Sequence, residues 1–263
     1  MPRASIDAIL ALTRSRVETL RGRRAELERL AASAKPAPPF GPSIAGGSVG
    51  VIAEIKRRSP SAGDIRADLD PVRHATAYQA GGAVAVSVLT EEAHFGGSLQ
   101  DLVDVTRAIS IPALRKDFIV DELQLFEARA AGASLVLFIV RALTDEELKR
   151  LAAAARGLGL ATLVEAHNRQ ELDRALAVSP TAVGVNNRDL GTFVTDLKVA
   201  ESLIPAVPKG ILAVTESGIE ERGAVERAAA AGADLVLVGE AVARADDPAA
   251  AVRALSGVKR RPR

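Results

Sequence analysis

The sequence predicts an α/β fold, a (β/α)8 TIM barrel with an additional N-terminal helix, and three observations carry that expectation. From residue 51 onward eight short apolar runs recur, and each is separated from the next by a helical pattern. The runs are apolar on both faces, as strands of a parallel sheet covered by helices must be. One unit is also repeated, as QAGGAVAVSVL, RAAGASLVLFIV and AAAGADLVLVGE, in which a helix closes at Gly82, Gly132 or Gly232 and a fully apolar strand follows. Eight such units favour a closed barrel over an open doubly wound sheet, which more often has five or six strands. The 263 residues suit one barrel domain of about 250 residues, with 1–50 as an N-terminal helical extension and connecting segment.

In chain order, residues 5–33 place Ile6, Ile9, Leu10, Val17, Leu20, Leu27 and Leu30 at spacings near three and four behind Ser5 as N-cap, which predicts one amphipathic helix. An apolar stripe needs a surface to cover, and the barrel that follows supplies one. Residues 35–50 are rich in Pro and Gly and read as a connection. The strands are expected at 51–55, 83–89, 111–114, 134–140, 161–165, 182–186, 211–215 and 234–238. The helices are expected near 70–81, 98–109, 121–131, 144–157, 168–178, 195–203, 219–231 and 247–255. Asp70 before Pro71, Asp121, Thr144 with Glu147, and Asp247 before Pro248 are their clearest start signals. The basic tail VKRRPR is taken as a solvated terminus.

Composition excludes several classes of function. With 48% hydrophobic and 25% charged residues the chain is an ordinary globular protein, and a net charge of +1 provides no field for nucleic acid or an anionic membrane. Cysteine is absent, so there is no disulfide, thiolate nucleophile or Cys-based metal site. The first thirty residues hold no apolar run of signal-peptide or membrane-span length, so a cytoplasmic location is expected. No dinucleotide fingerprint follows a strand, since Gly157 and Gly159 end a helix. His74, His94 and His167 are dispersed without ligand spacing, and His167 is read as a capping or surface residue. No metal and no cofactor are expected.

Active sites of such barrels lie at the C-terminal ends of the strands, so the residue types at those ends carry the chemistry. Glu54 and Lys56 leave the first strand on one face, two residues apart. The third run ends in Arg115, Lys116 and Asp117, the fifth in Glu165, the sixth in Asn186, Asn187 and Arg188, the seventh in Glu216, Ser217 and Gly218, and the eighth in Gly239 and Glu240. The opposite ends are apolar or small, with Asp234 the main charged exception. One acid at a strand end is usually a cap or an ion pair, but charged groups gathered at the same end of several strands are hard to attribute to packing. Carboxylates and lysines without histidine suggest proton transfer, with a Lys as acid or electrostatic partner and a Glu as base, provided crowding shifts their pKa values toward neutrality. The chain has only seven lysines, which makes two at strand ends suggestive of groups that titrate. Ser217, Gly218 and Gly239 can present main-chain N–H groups to an anion, close to where these barrels often bind phosphate.

Taken in order, VIAEIKRRSPSAG, SVLTEEAHFGGSLQDL, IPALRKDFIVDELQLFEARAAGA, LVEAHNRQEL, VGVNNRDLGTF, TESGI and LVGEAV resemble the strand-end motifs of the indole-3-glycerol phosphate synthase family, from residue 6 to about 250. The resemblance implies cyclisation, decarboxylation and dehydration of 1-(2-carboxyphenylamino)-1-deoxyribulose 5-phosphate in tryptophan biosynthesis, without cofactor or metal. It implies that Lys116 is the general acid and that Lys56 holds the substrate carboxylate and phosphate, with proton donation by Lys56 in the dehydration left open. Glu54 and Glu165 would serve proton removal and charge stabilisation, with the choice of base left open. Asn186 and Arg188 would orient hydroxyls and carboxylate, and Glu216 and Ser217 would position the substrate. Lys56, Ser59, Ser217, Gly218, Gly239 and Glu240 would surround the phosphate, and Phe95 and Phe118 would bound the aromatic ring. The partner implied is a small-molecule phosphosugar, with a monomer as the default in the absence of any sequence signal for oligomeric state. Ser134, Phe138, Glu122 and Leu123 depart from the family's usual residues and are expected to alter packing rather than activity. The rival phosphoribosylanthranilate isomerase chemistry uses a Cys that this chain lacks. A Schiff-base aldolase acting through Lys116 or Lys56, and a barrel that only binds a partner, remain as alternatives on sequence grounds.

Overall fold

The computed structural model describes residues 5–41, 44, 46–189 and 191–263. Parallel strands β1 (Gly50–Ile55), β2 (Ala85–Leu89), β3 (Ala113–Lys116), β4 (Leu135–Ile139), β5 (Ala161–Ala166), β6 (Ala182–Asn186), β7 (Leu212–Glu216) and β8 (Leu235–Val238) each pair with their sequence neighbours. β8 then pairs with β1, which closes the barrel. The expected run at 111–114 lies two residues later because Pro112 has no N–H to donate to the ladder, so pairing starts beyond it. Likewise Ala83 belongs to the helix exit, its N–H donating to Tyr78 O at 3.0 Å, and β2 begins at Ala85.

The helices are α1 (Ile6–Leu20), α2 (Arg24–Ser33), α3 (Pro71–Ala80), α4 (Glu92–Phe95), α5 (Leu99–Ala108), α6 (Glu122–Ala130), α7 (Asp145–Gly157), α8 (Arg169–Ala177), α9 (Lys198–Leu203), α10 (Arg222–Ala231), α11 (Glu240–Arg244) and α12 (Pro248–Leu255). Asp70, Asp121, Thr144 and Asp247 cap their helices through side-chain oxygens, as their positions in the sequence suggested. The repeated glycines Gly82, Gly132 and Gly232 take φ values of +93°, +85° and +95°, the left-handed turn that lets a helix hand over to a strand. The short α4 and α11 were not anticipated, because four or five residues are too few to show helical periodicity.

The N-terminal region differs from the single helix expected over 5–33. It breaks at a 3₁₀ turn, Arg21–Arg23, centred on Gly22, whose helix propensity is poor. On either side of the turn, α1 buries Ile9, Val17 and Leu20, and α2 buries Leu27 and Ala31. In the connecting segment Phe40 is buried; its Pro42, Ser43 and Ala45 lie outside the described residues, as does Leu190 of the NNRDL motif.

The basic tail is a second correction. Arg260 and Arg263 pair with Asp234 at 2.8 and 2.7 Å, and Arg263 also donates to Ile211 O at 2.9 Å. Arg260 N donates to Gly47 O at 3.1 Å and Val49 N to Val258 O at 2.8 Å, so the tail lies against the chain entering β1. Asp234, the charged exception among strand starts, is the anchor.

Arg115 is the largest fully buried side chain, and it is not in the barrel mouth. Neighbours on a strand face opposite ways, so Lys116 points inward while Arg115 turns to the helix layer. There Arg115 donates to Asp117 at 3.0 Å, Glu127 at 3.1 Å, Thr90 Oγ1 at 3.2 Å and Gln124 O at 2.7 Å. Arg16 of α1 reaches the same two carboxylates, at 3.3 Å to Asp117 and 2.8 Å to Glu127. Two guanidinium groups thus share two buried acids and tie α1 to β3 and α6. Breaking a buried network on one side leaves charge uncompensated. Arg115→Ala is therefore expected to lose about 3–5 kcal/mol of stability in urea unfolding; a loss below about 1 kcal/mol would contradict the network's role.

Candidate active site

Glu54 and Lys56 emerge on one face of β1, with Lys56 Nζ 3.1 Å from Glu54 Oε1. Lys116, at the end of β3, sets its Nζ 3.3 Å from Glu54 Oε2 and 3.2 Å from Glu216 Oε2. Ser87 of β2, the register partner of Glu54, donates to Glu54 Oε2 at 3.3 Å. Strands far apart in sequence therefore deliver two ammonium groups and two buried carboxylates in alternation. Burial alone would raise the Glu54 carboxyl, but Lys116 and Lys56 outweigh it and hold the group below its ordinary range. Burial would likewise lower Lys116, yet Glu54, Glu216 and Glu165 overcome it and hold the ammonium above its ordinary value.

The expectation that crowding would bring a lysine toward neutrality is corrected here. It is Glu216 that moves, raised to about 7 by burial and by the like charges of Glu165 and Glu54, against the pull of Lys116. Gly184 of β6 gives the Glu216 carboxylate its room, since a Cβ at that position would collide with Oε1.

Glu165 ends β5 beside a histidine. His167 Nε2 lies 3.4 Å from Glu165 Oε1, and Nδ1 lies 2.9 Å from Glu171 Oε2. The surface or capping role expected for His167 is therefore wrong: its side chain is buried, and Asn168 caps α8 instead. Asn186 accepts from Arg188 N at 3.0 Å, which fixes the turn leaving β6. Arg188 reaches across the mouth to Ser61 Oγ at 2.6 Å and Glu240 Oε1 at 3.3 Å. Asn187 faces away and is structural, accepting from Ala200 N at 2.9 Å and donating to Ser217 O at 3.0 Å.

Glu54, Lys56, Lys116, Glu165, Asn186 and Arg188 line the floor of an open cavity of about 110 Å³. One side is apolar, with Phe95 and Phe118 at 6.3 Å between ring centroids and Leu89, Leu137 and Ile139 beside them. Ile6 and Ile9 of α1 also line it, so the additional helix contributes to the site. An adjoining recess of about 60 Å³ is bounded by Lys56, Arg188, Ser217, Gly218, Gly239 and Glu240. Ser217 and Gly218 take φ values of +62° and +77°, a tight turn after β7. Gly239 approaches Glu54 and Lys56 so closely that a Cβ would come within 2.7 Å of Glu54 Oε1. Ser59 lines the larger cavity instead, accepting from Ala62 N at 3.1 Å. The Glu240 carboxylate pairs with Arg188 and lies 3.9 Å from Lys56, which leaves its main-chain N–H as its means of meeting an anion.

Sequence reasoning missed Ile6, Ile9, Ser61, Ser87, Gly184 and His167. Only Ser87 had a usable signal, a polar residue inside an otherwise apolar strand. Among the described residues no group of three or more His, Asp or Glu has the geometry to hold a metal ion.

The fold and the mouth define a TIM barrel whose polar strand ends surround a cavity that is apolar on one side and charged on the other. A family model described as "Indole-3-glycerol phosphate synthase" matches residues 6–255, and the chain belongs to the indole-3-glycerol phosphate synthase family. Proteins of that name are similar over most of their length. The one from Opitutus terrae is 48% identical over 86% of this chain and 88% of its own. That of Nocardioides sp. is 52% identical over 80% of each, and that of Mycobacterium avium 43% over 95% and 93%. Solved structures share the fold at low identity. Thiamine phosphate pyrophosphorylase from Pyrococcus furiosus has a TM-score of 0.59 at 17% identity, covering 81% of this chain and 95% of that one. A mandelate oxidase variant has 0.60 at 16%, covering 87% and 82%.

The raised Glu216 carboxyl has a pH consequence. The folded protein holds this proton more tightly than the unfolded chain, so its contribution to stability is complete below the unfolded value of 4.5 and is lost as pH rises through about 7. Glu216→Gln, which cannot titrate, is expected to gain on the order of 1–3 kcal/mol relative to the parent between pH 5 and pH 8 in urea unfolding. A constant difference across that range would contradict the shift.

Proposed function

We infer that the chain makes indole-3-glycerol phosphate, a carboxy-lyase step of tryptophan biosynthesis, with Lys116 as its general acid. Membership of the family supports the reaction. One observation carries the role: Lys116 Nζ stands on the cavity floor between Glu54 and Glu216.

In 1-(2-carboxyphenylamino)-1-deoxyribulose 5-phosphate, the ring carbon that bears the carboxylate must bond to the ketone carbon. The ketone oxygen then becomes an alkoxide, a far stronger base than an amine, and takes a proton from Lys116 Nζ. A lysine kept charged by its carboxylate neighbours is loaded for that transfer. The carboxylate leaves as CO2 and its bonding electrons restore the aromatic ring. The new hydroxyl next leaves as water with a proton from Lys56, while a carboxylate removes a proton from the carbon next to nitrogen. Two protons are donated and one removed, and the net uptake of one balances the carboxylate charge.

Glu165 suits the base better than Glu54. Glu54 is engaged by both lysines, and a carboxylate paired with two ammonium groups is a poor acceptor, whereas Glu165 has a single imidazole within ion-pair distance. Glu54 then serves to hold the lysines. Phe95 and Phe118 bound the aromatic ring, Asn186 and Arg188 orient hydroxyls and carboxylate, and Glu216 and Ser217 position the substrate. The phosphate sits near Lys56, Ser217, Gly218, Gly239 and the main chain of Glu240, with Ser59 reaching it from the larger cavity. The steps need no redox group and no metal. A cytoplasmic location and a small-molecule phosphosugar as the partner belong to the same proposal; no helix among the described residues is long and apolar enough to cross a membrane.

Mixing the purified chain with the carboxyphenylamino-deoxyribulose phosphate should produce indole fluorescence, and none from correctly folded protein would sink the reading. Lys116→Ala should lower kcat by about 100-fold or more with KM within a few-fold. Equal losses in binding and turnover would count against the acid role.

A further inference from the structure

We propose that His167 is a positioning residue for the reaction, aiming the Glu165 carboxylate into the cavity through its Nε2–H while Glu171 fixes the imidazole ring. The proposal rests on the reading of Glu165 as base.

The geometry is a chain of groups running from the helix layer to the cavity floor. Glu171 Oε2 accepts the main-chain N–H of His167 at 2.9 Å and lies 2.9 Å from His167 Nδ1. An ionised carboxylate only accepts, so Nδ1 carries a proton and the ring cannot turn over. Glu171 is itself held by Arg141 Nε at 3.2 Å and Asn168 Nδ2 at 3.0 Å, with Asp189 3.7 Å from Arg141. The ring therefore points Nε2 at Glu165 Oε1, 3.4 Å away, where it lies buried without a hydrogen bond. The side chains of His167 and Glu165 are 4% and 3% exposed. Such an orphaned ring nitrogen is unfavourable for a residue that only packs. It suits one whose bond to a catalytic group tightens when substrate is present. Nor is His167 required as a helix cap, since Asn168 accepts from Glu171 N at 2.9 Å.

The charges around the pair are defined on every side. Glu165 faces Lys116 and Glu216 across the mouth, and His167 faces Glu171 and Arg141 behind it. Burial works against a charged imidazole, but Glu171 and Glu165 overcome it and His167 is raised above its ordinary value. Glu171 is lowered to about 2 in spite of burial, chiefly by its hydrogen bonds from His167. The stabilisation from His167 is thus complete below pH 6.5 and lost as pH rises through its folded value. That from Glu171 is present above 4.5 and lost as pH falls toward about 2.

The test measures kcat and KM from pH 5 to pH 9 with the carboxyphenylamino-deoxyribulose phosphate for the full chain and for Glu165→Gln, His167→Gln, His167→Leu and Glu171→Gln. His167→Gln keeps a donor near the Nε2 position without a charge. It should lower kcat about tenfold, leave KM within about twofold, and move the acid limb of the kcat profile up by about one pH unit. His167→Leu should lower kcat about 100-fold. Glu171→Gln should move the acid limb in the same direction, because a neutral amide supports a charged imidazole less well. Should His167→Leu fail to fold by circular dichroism, the two Gln variants carry the test alone. Loss of turnover in Glu165→Gln with unaltered kcat and acid limb in His167→Gln and Glu171→Gln overturns the role of His167 only. Full turnover in Glu165→Gln overturns the choice of base, and the His167 proposal with it.

Discussion

The structure depends on a lattice of opposite charges buried at one end of a closed barrel. Lys116 stands between Glu54 and Glu216, and Glu54 stands between Lys116 and Lys56, so no member is desolvated without a partner. β1, β3 and β7 provide these groups, and only closure of the sheet brings their ends within ion-pair distance. The glycine at 184 admits the Glu216 carboxylate, and the glycine at 239 admits Glu54 and Lys56.

A second network stands behind the first. Arg115 and Arg16 share Asp117 and Glu127, fixing both the strand that carries Lys116 and the helix that places Ile6 and Ile9 on the cavity wall. The additional N-terminal helix thereby forms part of the cavity wall. Solved barrels at 16 and 17% identity share the architecture, so the fold does not depend on the particular residues at the mouth.

Much of the fold was legible because it is written in local patterns. Apolar runs between helical stretches, Asp or Thr at helix starts and Gly at helix ends fix each element within a few residues, and their number points to closure. The errors fell where a pattern says nothing about partners. The apolar stripe runs on through Gly22 and outweighs its poor helix propensity in the sequence, so the break was missed. The tail read as solvated because its arginines have no neighbours of opposite sign in sequence, while in space Asp234 lies against them.

For the site, residue types at strand ends were enough to find Glu54, Lys56, Lys116, Glu165, Asn186, Arg188 and Glu216, since a barrel sends alternate side chains inward and gathers strand ends at one rim. Which of those groups would titrate was not readable, because protonation depends on burial and on charges tens of residues away. Lys116 is held charged and Glu216 is brought to about 7 by groups that only the folded chain assembles. His167 shows the same division: its sequence neighbours suggest a cap, and only the packing of β5 against α8 turns its ring between Glu171 and Glu165. The sequence by itself determined the elements, their order and the end at which chemistry collects, because these follow from local periodicity and strand polarity. The tertiary structure alone decided which charges meet, since that is set by distances between residues far apart in the chain.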